Sequence, residues 1–213
     1  MNKLGCDVSQ WQDMDWKRAK EAGIRFAFIK ATDGTSWVDP HFAAHWKGAK
    51  AEDIDRGAYH FFRNNLNAMQ QADHFVKTLG GDLGELHLVV DVEDKGTVAL
   101  TAARIMAAIG APTATVETAV KIFVQRVIML TSHPVMVYTS PSYIQAYFKD
   151  PSWSQLPLWL ANYISTAPSV PSPWHPDRIM CWQFRVDLNG EYYGVIQPKG
   201  APKVKIDLDV GYW

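Results

Sequence analysis

The chain has 213 residues, and its 21 basic and 22 acidic side chains leave a formal net charge of -1. Hydrophobic residues make up 47% of the chain and charged residues 20%, which is typical of a globular protein with a sizeable core. The balanced charge argues against nucleic-acid binding, which needs a basic excess, and no apolar run reaches the roughly 18 residues of a membrane span. We therefore expect one α/β domain over residues 1–213, with no nucleic acid partner and no membrane insertion.

The first residues, MNKLGCDVSQW, contain polar side chains at once and no apolar core of a secretory signal peptide. We therefore expect the protein to stay in the cytoplasm after synthesis unless another process releases it. Its two cysteines, Cys6 and Cys181, are too few for a disulfide framework. We interpret both as reduced, buried apolar side chains.

Apolar runs of strand length alternate with amphipathic helical patterns over the first two thirds of the chain. We predict strands at residues 4–8, 24–31, 56–62, 87–93 and 134–140. We predict helices at residues 15–23, 40–51, 67–79, 115–130 and 142–148. This alternation favours a parallel sheet with covering helices.

The pattern changes after residue 148, where strands are predicted at 157–163, 179–184 and 203–210 with Pro-rich connections between them. Eight strands, five of them followed by helices, predict a single-domain, irregular TIM-like barrel of the (β/α)5(β)3 type. Residues 96–114 form a long excursion after the fourth strand, and the sequence does not indicate its role.

Three predicted strands place carboxylates on one face. Because strand side chains alternate between faces, Asp91 and Glu93 share a side of the fourth strand, and Asp207 and Asp209 share a side of the last. Asp7 lies near the end of the first strand, which neighbours the last strand in a closed barrel. Helices cover the outside of such a barrel, so these acids should point inward at the mouth where barrel active sites lie.

Such a cluster predicts that at least one carboxyl group keeps its proton and can donate it at mild pH, because like charges in one pocket raise each other's pKa. Two other interpretations are polar strand ends meeting solvent and a divalent cation site. His41 and His45 are four residues apart on a predicted helix but lack the glutamate of a metalloprotease. We interpret them as solvent-facing and expect neither a metal nor a cofactor.

A series of short motifs extends this picture over nearly the whole chain. In chain order they read DVSQWQ, FAFIKATDGTSWVDPHF, GAYHFFR, VVDVED, VYTS, PLWLANY, CWQF and KIDLDV. Their order and spacing resemble glycoside hydrolase family 25, the muramidases related to phage and fungal lysozymes. The family's irregular barrel of five β/α units and three further strands matches the strand count made from the sequence.

The resemblance implies hydrolysis of the β-1,4 bond from N-acetylmuramic acid to N-acetylglucosamine in peptidoglycan, with retention of configuration and without a cofactor. By motif position, Glu93 resembles the general acid and Asp91 its partner, which orients the substrate's own N-acetyl group during attack on the anomeric carbon. Asp7 and Asp207 occupy the family's other two acidic positions. The bacterial glycan strand is the implied partner, and we expect a monomer.

Several side chains in the matching motifs resemble substrate-binding groups, although each could equally belong to the barrel core. The candidates are Tyr59, Tyr138, Trp159, Tyr163, Trp182, Gln183 and Trp11. Trp37 and Lys30 lie near the same predicted mouth. Two positions depart from the family pattern, Asp33 where glutamate is expected and Asp209 where asparagine is common; the second adds an acid near the site.

The combination of a muramidase motif set and no signal peptide suggests a phage endolysin, held in the cytoplasm until the membrane is breached. Two alternatives remain open at this point. One is a non-catalytic barrel that binds peptidoglycan or another glycan. The other is a hydrolase for a different β-1,4-linked N-acetylglucosamine polymer such as chitin.

Overall fold

A computed structural model of the chain describes residues 2–93, 116–163, 167–196 and 205–213. The strands are β1 Lys3–Val8, β2 Phe26–Asp33, β3 Trp37–Val38, β4 Asp55–Phe61, β5 Leu88–Asp91, β6 Val135–Thr139, β7 Leu158–Ala161, β8 Ile179–Asn189 and β9 Lys205–Gly211. The α-helices are α1 Trp16–Glu21, α2 Phe42–Ala51, α3 Ala68–Leu79, α4 Val116–Thr131 and α5 Pro141–Tyr147. The predicted excursion at residues 96–114 lies outside the described residues.

Eight of the strands close into a barrel, as predicted. β1, β2, β4, β5, β6, β7 and β8 follow one another in parallel, and β9 closes the ring between β8 and β1. The two-residue β3 pairs antiparallel with the end of β2 and was not predicted. The fold is therefore a single-domain, irregular α/β barrel.

The closing strand β9 runs antiparallel to both of its neighbours, β8 and β1. The sequence pattern favoured a parallel sheet, and β9 is the exception among the eight barrel strands. A parallel pair needs a crossover connection, whereas an antiparallel pair does not, and the sequence shows no helical pattern between these two strands. As a result, the first half of β9 reaches the mouth of the barrel and brings Asp207 there.

The inside of the barrel is filled with large side chains at its lower end. Phe26, Phe28 and Trp159 form one buried cluster inside the ring, and the Phe28 and Trp159 rings stack with centroids 4.4 Å apart. Gly5 allows this filling, because a Cβ there would lie 2.2 Å from the Phe26 ring. Cys6 and Cys181 are free and buried, as expected.

The helices pack their apolar faces on the outside of the ring, and α1, α3 and α5 begin at side-chain caps. Asn67 accepts a hydrogen bond from the Gln70 amide at the start of α3, and Ser140 does the same for Tyr143 at the start of α5. The interpretation of His45 as solvent-facing is wrong, because it shares the buried face of α2. No helix in the described ranges is long and apolar enough to cross a membrane.

Candidate active site

A cleft of about 640 Å³ opens at the mouth formed by the carboxyl ends of the parallel strands. Each of the eight barrel strands contributes at least one lining side chain. In strand order these are Asp7, Lys30, Tyr59, Asp91, Tyr138, Trp159, Gln183 and Asp207. Inward-pointing strand residues thus build the site on rigid elements, which is the usual arrangement in α/β barrels.

The structure brings the four predicted acids together in this cleft. Asp7 on β1 is directly opposite Asp207 on β9. Asp91 is the last residue of β5, and Glu93 lies two residues beyond the end of that strand rather than inside it. The cleft therefore holds a group of carboxylates supplied by three different parts of the ring.

The surroundings of Asp7 favour its protonated form. Its pKa is raised from the ordinary value of 3.8 to about 8, first because the cleft removes water from the carboxyl group and then because Asp207 carries a like charge. Two hydrogen bonds, from Gln183 and Asp209, act in the opposite direction. The Gln183 amide donates to Asp7 Oδ2 over 2.7 Å.

Asp91 is only 6% exposed, and burial raises its pKa well above 3.8. Glu93 adds to this rise, whereas the positive charge of Lys30 opposes it. Within the described part of the chain, Asp91 Oδ1 accepts no hydrogen bond. The Asp91 carboxylate can therefore accept a hydrogen bond that the protein itself does not supply.

The extra acid of the sequence, Asp209, lies below the cleft rather than in its wall. It is fully buried, and its Oδ1 accepts a hydrogen bond from Trp159 Nε1 over 2.8 Å. Burial is the main cause of a strong rise in its pKa, and Asp7 and Asp207 add to it. The sequence placed Asp209 on the correct side of the strand but did not indicate that it lies beneath Asp7.

Gln183, a predicted substrate-binding residue, uses its amide within the protein. Its Oε1 accepts hydrogen bonds from the hydroxyl groups of Tyr138, at 2.8 Å, and Tyr163, at 2.6 Å. Its Nε2 donates to Asp7. Gln183 is buried, so these contacts indicate that it holds the two tyrosines and Asp7 in place beneath the substrate.

The predicted aromatic residues differ in how they meet the cleft. Tyr59 and Trp159 are buried and form part of its floor, with ring centroids 6.4 Å apart. Tyr163 and Trp11 lie on its walls, and Trp11 is 76% exposed. Only the wall residues offer open ring surface on which a sugar can stack.

The structure places Trp182, a predicted substrate-binding residue, outside the cleft. It alternates with Gln183 along β8, so it points away from the inside of the barrel, and it does not line the cleft. Its Nε1 donates to the Asn162 carbonyl over 2.6 Å, and its ring packs near Phe184. Trp182 is a packing residue between strands and the outer layer.

Two cations on one wall of the cleft complete the site. Lys30 Nζ lies 4.4 Å from the centre of the Phe61 ring, and the Arg63 guanidinium lies 4.6 Å from the same ring. Arg63 also forms a two-point ion pair with Asp33, with distances of 2.6 and 2.7 Å. Arg63 was not predicted as a site residue, although it directly follows the strand motif GAYHFF and so had to lie near the mouth.

The carboxylates do not form an evident metal centre. Among the described residues, no group of three or more His, Cys, Asp or Glu side chains is arranged to hold a metal ion. The same acids with unequal surroundings are suited to proton transfer, since the environment separates their pKa values. The arrangement therefore supports acid–base chemistry on a ligand that fills a polar cleft with aromatic walls.

Comparison with known proteins identifies relatives of this barrel. Residues 6–190 match the profile of Glycosyl hydrolases family 25. Lysozyme M1 of Streptomyces globisporus is 36% identical over 79% of this chain, and the match spans 57% of the length of that protein. The N,O-diacetylmuramidase of Chalaropsis sp. is 32% identical over 84% of this chain and 86% of its own length.

A solved structure gives the same result for the fold. The muramidase from Trichobolus zukalii superposes with a TM-score of 0.75 at 26% identity, covering 99% of this chain and 94% of the other. The matched region includes Asp7, Asp91 and Glu93, so it takes in most of the acidic cleft described above. The chain is a member of glycosyl hydrolase family 25.

Proposed function

We propose that this chain is an N-acetylmuramidase that hydrolyses the β-1,4 bond between N-acetylmuramic acid and N-acetylglucosamine in peptidoglycan. The observation that carries the proposal is the Asp91–Glu93 pair at the carboxyl end of β5, with Asp91 buried beside a second acid and facing a polar cleft. The names of its relatives, a lysozyme and two N,O-diacetylmuramidases, support the same substrate class.

The first step concerns where one proton resides. Before substrate binds, burial and the charge of Glu93 favour a proton on Asp91. The acetamido N–H of the substrate can donate a hydrogen bond to the Asp91 carboxylate. Such a hydrogen bond stabilises the ionised form of Asp91. Substrate binding then leaves Asp91 ionised and Glu93 protonated, which is the distribution that the reaction needs.

The chemical steps follow from this distribution. Glu93 donates its proton to the glycosidic oxygen while the acetamido oxygen of the same sugar attacks the anomeric carbon from the opposite face. The glycosidic bond breaks, and the leaving sugar departs with the proton as a hydroxyl group. Asp91 stabilises the positive charge that develops on the cyclised acetamido group.

Water completes the reaction by attacking the anomeric carbon from the side that the leaving sugar vacated. Glu93, now ionised, removes a proton from this water, and the acetamido group reopens. Two displacements at the same carbon restore its configuration, so the product retains the β anomer. Asp207 contributes negative charge in the same cleft, which helps to keep Glu93 protonated until it reacts.

The cations favour a muramic acid residue over an unsubstituted N-acetylglucosamine. Muramic acid carries a lactyl group with a carboxyl function, which the neutral chitin chain lacks. Lys30 and Arg63 both lie against the Phe61 ring and line the cleft. An anionic substituent directed to this wall gains electrostatic attraction that chitin does not.

The test is digestion of purified peptidoglycan by the wild type, Glu93→Gln and the control Glu21→Gln, with analysis of the reducing ends. Glu21 is an exposed acid on α1, so its substitution controls for the loss of one surface charge. We expect the wild type and the control to release N-acetylmuramic acid reducing ends and Glu93→Gln to lose at least about 100-fold in rate. Binding to the wall without release by any of the three proteins would instead indicate a glycan-binding barrel.

We further propose that this muramidase acts as a phage endolysin. An endolysin acts on the wall only after the membrane has been breached. Cells that make this protein in the cytoplasm should therefore stay intact until a pore-forming agent is added, and then lyse. Glu93→Gln is the control, since it should fail to lyse the cells in either condition.

A further inference from the structure

Asp209 is a carboxyl group that the proposed reaction does not use. It is fully buried beneath the cleft and is supplied by β9, where it is directly opposite Gly5 of β1 and Gln183 of β8. A buried carboxylate is costly unless it is neutralised or well paired. The contacts around Asp209 therefore have to explain how the barrel tolerates it.

The two oxygens of Asp209 have different surroundings. Oδ1 accepts the Trp159 Nε1 hydrogen at 2.8 Å, whereas Oδ2 finds no donor among the described residues. The carboxyl group of Asp7 lies within hydrogen-bonding reach. Two ionised carboxylates can only accept hydrogen bonds, so one of these groups must carry the proton that joins them.

The titratable and polar groups packed against Asp209 do not supply a cation. They are Asp7 and Cys6 of β1, Cys181 and Gln183 of β8, Trp159 of β7 and Asp207 of β9 itself. Both thiols are buried, and the two aspartates add to the rise in the pKa of Asp209. Within the described ranges, a proton is therefore the available means of neutralising Asp209.

The geometry also indicates which aspartate holds this proton. Asp7 faces the cleft and accepts a hydrogen bond from Gln183 at 2.7 Å, which partly offsets the rise in its pKa. Asp209 has no contact with solvent and only one donor, Trp159 Nε1. The group that loses more hydration keeps its proton to higher pH, so Asp209 is the donor in the hydrogen bond between the two.

We propose that Asp209 is a protonated positioning residue that donates a hydrogen bond to Asp7 from beneath the cleft. Trp159 fixes the orientation of Asp209, which in turn fixes Asp7 together with Gln183. This hydrogen bond opposes the rise in the pKa of Asp7 that burial and Asp207 cause, and it adds no negative charge beneath the cleft. This inference rests on the proposed muramidase function only for its activity measurement.

The test uses two substitutions of similar size, Asp209→Asn and Asp209→Leu. An asparagine can accept from Trp159 Nε1 and donate to Asp7, so it reproduces both contacts without a titratable group. A leucine fills the space but supplies neither contact. We expect kcat/KM on peptidoglycan to stay within about threefold for Asp209→Asn and to fall at least about tenfold for Asp209→Leu.

Thermal unfolding as a function of pH supplies a measurement that does not depend on activity. A group that is protonated in the folded protein but ionised in the unfolded chain makes the folded protein less stable as pH rises above the ordinary pKa. The difference in Tm between Asp209→Asn and the wild type should therefore grow by more than about 3 °C from pH 4 to pH 8.

A constant difference in Tm across this range would overturn the proposal, since it would mean that Asp209 is ionised in the folded protein. Equal activity of the asparagine and leucine variants would also overturn it. If the wild type does not cleave peptidoglycan, the proposed function fails, but the pH dependence of Tm still tests the protonation of Asp209. If Asp209→Leu does not fold, the asparagine variant alone gives this result.

Discussion

Asp7 and Asp207 are directly opposite each other on the antiparallel strands β1 and β9. Like charges in this position destabilise a sheet, and Asp207 is the largest charge effect among the causes that raise the pKa of Asp7 to about 8. A fold selected only for stability would not place these two side chains together. The pair is therefore best understood as a stability cost that accompanies the chemistry of the cleft.

The first prediction follows from this cost. Between its ordinary pKa of 3.8 and its folded value of about 8, Asp7 is protonated in the folded protein and ionised in the unfolded chain. The stability that this group contributes is present below pH 4 and is lost as pH rises toward 8. We expect Asp7→Asn to be more stable than the wild type at pH 7.5, by at least about 1 kcal/mol, and to match it near pH 4.

The measurement is chemical denaturation at both pH values, combined with an assay on peptidoglycan. We expect the stabilised Asp7→Asn variant to be at least about tenfold less active, because Asp7 lies in the cleft and its titratable carboxyl group is part of the acid cluster. Asp55→Asn is a suitable control, since Asp55 pairs with Lys3 on the surface. Equal stability of Asp7→Asn and the wild type at both pH values would contradict the interpretation of the Asp7–Asp207 pair.

Much of this site could be predicted from strand ends alone. Alternation along β5 places Asp91 on the inner face, and the position of β1 beside β9 brings Asp7 opposite Asp207. Both inferences use only local periodicity and the closure of the ring. The same reasoning applied to CWQF would have shown that Trp182 and Gln183 point to opposite faces, so that only one of them could reach the cleft.

The rest of the site depends on contacts between residues that are distant in sequence. Gln183 accepts hydrogen bonds from the hydroxyl groups of residues 20 and 45 positions away in the sequence. It donates a hydrogen bond to a residue 176 positions away. The direction of β9 also depends on how the ring closes, which no short pattern specifies. The burial of His45 was not predicted because the prediction relied on its polarity. Its helical spacing from Phe42, Trp46 and Ala49 instead places it on the buried face of α2.

The second prediction concerns the contacts of Gln183. Replacing it with leucine keeps the volume similar but removes the acceptor for Tyr138 and Tyr163 and the amide donor to Asp7. We expect kcat to fall by about 10- to 100-fold while KM changes less, because the loss acts on the orientation of catalytic groups. Steady-state kinetics on a soluble muropeptide oligomer gives both values.

Gln145→Leu is the matched control for this change, since Gln145 is exposed on α5. It should leave both kinetic constants close to those of the wild type. A Gln183→Leu variant with an unchanged kcat and a raised KM would show that Gln183 contacts the substrate directly. That result would return Gln183 to the role that the sequence suggested.

The third prediction separates stacking on the cleft wall from exposure of an aromatic ring in general. Trp11 is 76% exposed and lines the cleft, whereas Tyr192 is 68% exposed and lies outside it. We expect Trp11→Ala to raise KM by about 5- to 30-fold with little loss of stability, because a sugar face loses its ring surface. Trp11→Phe should restore most of the affinity, and Tyr192→Ala should behave as the wild type.

The last prediction concerns Lys30, which opposes the rise in the pKa of Asp91. Its Nζ lies 3.7 Å from Asp33 Oδ2, so the positive charge of Lys30 acts on both Asp33 and Asp91. In Lys30→Met the opposing positive charge is gone, and the pKa of Asp91 should rise further. The proposed reaction needs ionised Asp91, so the acidic limb of the kcat/KM profile should move to higher pH by about half a unit or more.

Lys47→Met provides the matched control, because Lys47 is exposed on α2 and far from this contact set. Its profile should coincide with that of the wild type. If Lys30→Met lowers activity by the same factor at every pH, Lys30 acts only by holding substrate, and its electrostatic role toward Asp91 is wrong. A shift of the acidic limb of the kcat/KM profile without a change in its plateau would support the electrostatic effect of Lys30 on Asp91.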